Sequence, residues 1–206
     1  ERVIEAVGTT RAARSVEIAP LSAGRVVKSQ LSQGTEVKSR SLLIALDSVI
    51  EEADVLEAKA RLEEASRALQ RSDSLAASSG MSQAAIDNLK AQAKIARAQL
   101  ERANKRLEDR FLRAPFSGVI SLSDIEIGSR GKAGEVVAVL DDLSGVLVEF
   151  SVAEDHFGSL GSGDTLTARA AAFPGRKFTG TIDAIDTRID TASRSFKVRG
   201  FIKNAD

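Results

Sequence analysis

The spacing of apolar and polar positions changes twice along the chain. Up to Leu46 it reads as short β-prone runs broken by glycine, such as Val26 and Val27, then Leu42 to Leu46. A seven-residue repeat then takes over. Ile86, Ala93, Leu100 and Leu107 form one row, and Leu89, Ala96 and Ala103 a second. Upstream, Val55, Leu62 and Leu69 run with Ala58 and Ala65. Apolar residues in this 3-4 spacing make a coiled-coil seam, and the surrounding Ala, Leu, Glu, Lys, Arg and Gln are strong helix formers. Ser78-Ser79-Gly80 interrupts the pattern, which predicts two antiparallel helices of about 25–30 residues projecting about 40 Å. Ser82 follows at the position of an N-cap. The charges on the other faces, among them Glu51, Glu57, Arg61, Lys90, Glu101 and Arg106, read as a solvated surface.

Beyond the helices the pattern returns to β. Val119 and Ile120, Val136 to Leu140, Gly145 to Val152, Asp164 to Arg169 and Phe178 to Ile185 are all strand runs. Ser195 to Ile202 alternates most cleanly, with Phe196, Val198 and Ile202 on one face. Turn residues such as Phe173-Pro174-Gly175 separate these runs, predicting a small antiparallel barrel. Glu154 to Leu160 reads as one short helix, and the first 16 residues as an incoming strand.

The two β segments flanking the helices repeat each other. One offset of 94 residues carries Gly24 to Gly118, Gly34 to Gly128 and Asp47 to Asp141 without a gap. Each copy is too small to bury its apolar face alone. Two copies facing each other give a flattened β-sandwich with pseudo-twofold symmetry. The four glycines, Gly24, Gly34, Gly118 and Gly128, are expected at its tight turns.

Composition narrows the function. Aromatics make up only 4% of the 206 residues, with no Trp or Tyr, which favours several small modules over one thick core. Basic and acidic residues balance at 29 each, so neither a basic footprint nor base-stacking platforms point to nucleic acid. Without cysteine there is no disulfide framework and no thiolate site. No apolar run approaches the roughly 20 residues that cross a bilayer. The chain opens in mid-pattern at Glu1, and an export signal or anchor is expected ahead of it.

Three stretches, in this order, carry a family resemblance. Gly24-Arg-Val-Val leads to Gly34-Thr-Glu-Val-Lys and Leu42 to Asp47; Leu112-Arg-Ala-Pro-Phe-Ser-Gly-Val-Ile120 returns from the helices; Val148 to Glu154 runs through Phe178-Thr-Gly180 and Ser193-Arg194-Ser195 to Asn204. The chain resembles the membrane fusion proteins, or periplasmic adaptors, of RND-type efflux pumps. The resemblance implies a mixed α and β, multidomain fold: a split lipoyl-like β-sandwich with an inserted coiled-coil α-hairpin, followed by a small antiparallel β-barrel. Residues 17–48 with 111–144 would form the sandwich, 49–110 the hairpin with its tip at about 72–82, and 1–16 with 145–206 the barrel. A membrane-proximal domain is expected after Asp206.

At the tip the family carries an Arg-Leu-Ser pattern, and Arg71, Leu75 and Ser82 have its separations, with Asp87 at an often acidic position. The resemblance makes these four the docking residues for a TolC-type outer-membrane channel; Ser82 serves equally well as a helix cap alone. It further implies an inner-membrane RND transporter as partner, six copies in the assembled pump, and a periplasmic location at the inner membrane. No catalytic residue, metal or cofactor is expected.

Other readings fit less well. An ABC-type exporter's adaptor shares the split domain and the tip, but the short hairpin and Ser193-Arg194-Ser195-Phe196 favour the RND partner. A biotin or lipoate carrier needs a lysine at the turn joining its halves; here a helical hairpin replaces that turn, and Lys28, Lys38 and Lys132 lie elsewhere. An enzyme would rest on His156 between acidic neighbours and Phe157, with no further ligand or catalytic spacing around it. Metal efflux would call for Met or His clusters, and the chain has one of each.

Overall fold

The computed structural model describes residues 3–79, 82–123 and 125–204, and within them the side chains of residues 73–79 and 122 lie outside the description. The chain begins with strand β1 (Gly8–Ile18), followed by β2 (Gly24–Ser29), β3 (Glu36–Val37) and β4 (Leu42–Leu46). Helices α1 (Val49–Ser79) and α2 (Gln83–Glu108) come next. Strands β5 (Phe111–Arg113), β6 (Gly118–Ser123), β7 (Arg130–Gly131) and β8 (Ala138–Ala153) return to β structure. A short 3-10 helix (Glu154–Ser159) then leads to β9 (Thr165–Ala168), β10 (Phe178–Asp190) and β11 (Ser195–Lys203).

The repeat read from the sequence organises the first core. One sheet runs β5-β4-β2-β7; facing it, β3, β6, β8 and β1 pair in the same relation. The halves exchange equivalent bonds across the pseudo-twofold. Gly34 N–H donates to Ile120 O at 2.7 Å, and Gly128 N–H donates to Val26 O at 2.8 Å. Arg40 N–H reaches Ala114 O at 2.8 Å, and Gly134 N–H reaches Pro20 O at 2.9 Å. Three of these turn positions take positive φ as glycine, at 77°, 91° and 76° for Gly34, Gly128 and Gly134. Arg40 holds the fourth at 66°, a conformation costing a side-chain-bearing residue about 1–2 kcal/mol.

Equivalent apolar residues meet in the middle: Val26 with Ile120, and Leu46 with Leu140, all essentially buried, joined by Leu43, Ile44, Ala138 and Phe116. Each fully buried aliphatic side chain of this kind contributes about 1.5–3 kcal/mol. A second, separate core lies in the barrel, where β1, β8, β11, β10 and β9 lie side by side. Phe196, Val198, Val152 and Ile182 fill it, and Phe157 of the 3-10 helix sets its ring edge-on to Phe196 with centroids 5.1 Å apart. The alternation of β11 reads as expected, with Phe196, Val198 and Ile202 inward.

The sandwich and barrel share strands. β8 runs unbroken from one core to the other, and β1 stays paired to it on both sides of a bulge between Ala12 and Arg14. Arg14 clamps this joint. Its Nε and Nη2 donate to Asp142 Oδ2 at 2.9 and 2.7 Å, and its guanidinium lies 4.5 Å over the Phe116 ring.

Candidate functional site

Two helices of 31 and 26 residues form the hairpin. Their contact is thin. Among the described side chains, Ala58, Ala96 and Ala103 are the buried apolar residues, with Val55, Leu62, Ala65, Leu69, Ile86, Leu89, Ala93, Leu100 and Leu107 half-buried. Alanines let two helix backbones approach closely but bury little area each, so the described part of the pair forms a narrow strut. Ion pairs along the outer faces, Arg61 with Glu57 and Arg67 with Glu63, follow the i,i+4 rule and lie in solvent.

The predicted tip residues fall on both helices. Arg71 is exposed in the last third of α1, and Leu75 lies one turn further on the same helix, its side chain outside the described residues. Ser82 caps α2 with extended backbone at φ −70° and ψ 144°, its Oγ accepting from Ala85 N–H at 3.3 Å. Asp87 is exposed one turn into α2 and accepts from Gln83 Nε2 at 3.0 Å. α1 ends at Ser79, within the interruption expected at Ser78-Ser79-Gly80, and α2 begins at Gln83. Gly80 lies outside the described residues.

The predicted glycines divide by role. Gly34 and Gly128 have open space around them and supply positive φ. Gly24 and Gly118 instead permit close approach: a Cβ would stand 2.8 Å from Arg110 Nη1 at the first and would overlap the Asp141 carbonyl oxygen at the second.

One expectation fails at the hairpin root. Glu51 is buried, not solvated, and pairs with Arg110, the two side chains being only 11% and 20% exposed. The seven-residue pattern held the signal: Glu51 stands one repeat before Ala58 and two before Ala65, on the seam. Arg106 behaves as a surface charge, pairing with Asp54 at 3.0 Å while mostly exposed. His156 Nε2 lies 3.7 Å from Asp155 Oδ1 at the barrel surface. Among the described residues no group of three or more His, Cys, Asp or Glu side chains is placed to hold a metal ion, and no helix is long and apolar enough to cross a membrane.

Comparison with known proteins agrees with this architecture. Residues 145–206 match the family model described as CusB-like, beta-barrel domain. An uncharacterized protein of Haemophilus influenzae is 28% identical over 191 residues, covering 93% of this chain and 50% of that protein. The multidrug resistance protein MdtA of Pantoea ananatis is 24% identical over 230 residues, covering 98% of this chain and 55% of its own length. The chain thus spans about half the length of the curated relatives it matches. A MacA-MexA chimeric protein containing the Pseudomonas aeruginosa MexA alpha-hairpin domain superposes with a TM-score of 0.83 at 19% identity, over 99% of this chain and 76% of that one. The membrane fusion protein Spr0693 of Streptococcus pneumoniae superposes with a TM-score of 0.72 at 19% identity, over 95% of this chain and 88% of its own.

Proposed function

From a chain that carries a CusB-like barrel and, along its length, the fold of the membrane fusion proteins, we propose a periplasmic adaptor of an efflux pump. In this reading it is attached to the inner membrane and links an RND transporter there to a TolC-type outer-membrane channel. The observation that carries it is the combination on one chain of the barrel, the two-copy sandwich and a long, narrow two-helix hairpin. The CusB-like barrel supports the RND partner over an ABC-type exporter.

The role is geometric. Six copies side by side would form a funnel from sandwiches and barrels and a tube from hairpins, while the transporter supplies the energy. Balanced charge limits long-range repulsion between such copies. Arg71, Leu75, Ser82 and Asp87 would meet the channel: the guanidinium as a fork onto carboxylates or carbonyls, the leucine in a small apolar pocket. Many weak tip contacts in one ring would add up by multivalency. The working division into domains remains 17–48 with 111–144, 49–110, and 1–16 with 145–206.

The test is crosslinking of the full-length, membrane-attached protein to a TolC-type channel, with Arg71→Asp/Leu75→Asp as the comparison. Loss of the channel crosslink, with transporter association and fold intact, supports docking through this tip. Equal crosslinking moves the docking surface elsewhere. No crosslink to any channel or transporter removes the efflux reading.

A further inference from the structure

The hairpin leaves the sandwich through two joints of two residues each. Asp47 and Ser48 connect β4 to α1; Asp109 and Arg110 connect α2 to β5. Among the described residues the helices pack chiefly on each other and not along any strand. Apolar contact therefore does not set the direction in which the hairpin points. That direction has to come from the root.

At the root the polar contacts converge on one side chain. The Arg110 guanidinium holds Glu51 in the first turn of α1, and its Nη1 donates to Ala23 O at 2.8 Å on the sandwich loop before β2. Its own carbonyl accepts from Leu46 N–H at 2.9 Å. One residue on the α2 joint thus ties together α1, β4 and the sandwich loop. Gly24 makes room for it, since a Cβ there would collide with Nη1. Nearby, Ser22 Oγ donates to Asp109 O at 3.4 Å, and Arg25 reaches Asp47 at 3.2 Å.

The pair also differs in kind from the hairpin's other ion pairs. Those between α1 and α2 or along one helix keep at least one partner well exposed, as Arg106 and Asp54 do at 57% and 41%. Arg110 and Glu51 are both withdrawn from water. There, a planar guanidinium with a carboxylate and a carbonyl on separate prongs fixes direction better than a flexible ammonium does. A desolvated pair of this type adds little net stability against an apolar replacement, so specificity of geometry is its more useful product.

We propose that Arg110 is a positioning residue for the hairpin tip: with Glu51, Ala23 O and the gap left by Gly24, it sets the angle at which the hairpin leaves the sandwich. A helix of 31 residues is about 46 Å long, so a root tilt of about 10° carries its end about 8 Å. That exceeds the reach of any side-chain contact. The inference rests on the adaptor reading only for what the tip does. The hairpin angle is a property of this chain alone, and it is measured with no partner present.

The chain has no cysteine, so spin labels can be placed at Lys28→Cys on the sandwich and Ala91→Cys on α2, both exposed positions. Electron–electron dipolar distances in the full chain should be narrow with Arg110 present. Because Arg110→Gln alone leaves Glu51 buried without its partner, the deciding variant is Arg110→Gln/Glu51→Gln. It should broaden the distribution by several ångströms while circular dichroism and melting temperature stay close to the parent. Arg110→Lys should recover the width in part. Gly24→Ala, which pushes the guanidinium aside, should displace the mean distance. An unchanged distribution in the double variant, or a loss of melting temperature without broadening, would overturn the proposal.

Discussion

The sandwich hands its chain on at two ends related by its own pseudo-twofold, and the two exits are built in opposite ways. Each copy of the repeat closes on the same residue type, Asp47 in one and Asp141 in the other. After Asp47 come Ser48, Val49, Ile50 and a run of glutamate and alanine, with Ser48 Oγ donating to Glu52 Oε1 at 2.7 Å, and the chain enters a helix. After Asp141 come Asp142, Leu143, Ser144 and then the β-prone run Val146 to Val152, and the strand continues. Barrel and sandwich are therefore joined by a backbone ladder, which resists bending at every hydrogen bond. Hairpin and sandwich are joined by two short joints and a side-chain bracket. In both places an arginine and a mostly buried carboxylate close the joint, Arg14 with Asp142 and Arg110 with Glu51. What differs is how much of the direction that pair alone has to fix.

Removing what both exits stand on should have the largest effect. Ile44→Ala empties a fully buried position of the shared core and should cost about 2–5 kcal/mol in urea unfolding. A result under about 1 kcal/mol would mean that the sandwich is not the common foundation.

Gly118→Ala should come next. Its Cβ would lie against the backbone carbonyl of Asp141, forcing a strand shift at about 2 kcal/mol, whereas its repeat mate Gly24→Ala meets the movable end of Arg110 and should cost clearly less. Equal costs would mean that the two positions are not distinguished by what they face. Gly34→Ala and Gly128→Ala, both at positive φ in open space, should instead match each other at about 1 kcal/mol.

The barrel exit carries a pH signature. The Ser144 hydroxyl, then the Arg14 guanidinium and the Ser144 N–H, hold Asp142 below its ordinary carboxylate range, at about 2. A carboxyl held low when folded contributes stability that is present above its unfolded value and lost as pH falls through the folded one. Stability should therefore decline between about pH 4 and pH 2, and Asp142→Asn should flatten that part of the profile. Arg14→Ala should cost about 1 kcal/mol at neutral pH, since Asp142 keeps the bond it accepts from Ser144 N–H. A profile unchanged by Asp142→Asn would assign the acid loss to other carboxylates. The smallest effect belongs to Ser82→Ala, which removes one cap bond and should cost about 0.5–1 kcal/mol, read as a lower helical signal on mild heating.

Much of this was legible in the residues. The offset of 94 that superimposes three landmarks in the sequence also relates the exchanged bonds of Gly34 and Gly128. Ser82 was legible as a cap because its oxygen serves an amide three residues away. Glu51 carries its signal in the seven-residue spacing, but the arginine that compensates its burial lies 59 residues on, beyond any local pattern. The division between sandwich and barrel at residue 144 gave no warning that one strand passes through it.

What the sequence determined by itself is therefore local: periodicity, turn conformation and capping, together with a repeat whose period makes two half-cores into one. Periodicity, turns and caps depend on neighbours a few residues apart, and the repeat shows itself as one local pattern written twice, so the residue types carry this information directly. The tertiary structure alone decided which partner lets a charge leave water and which strands run on between cores. Arg14 finds Asp142 across 128 residues, and Arg110 finds Ala23 across 87. A charged side chain's burial depends on the partner that compensates its lost hydration, and only the folded chain brings that partner within reach.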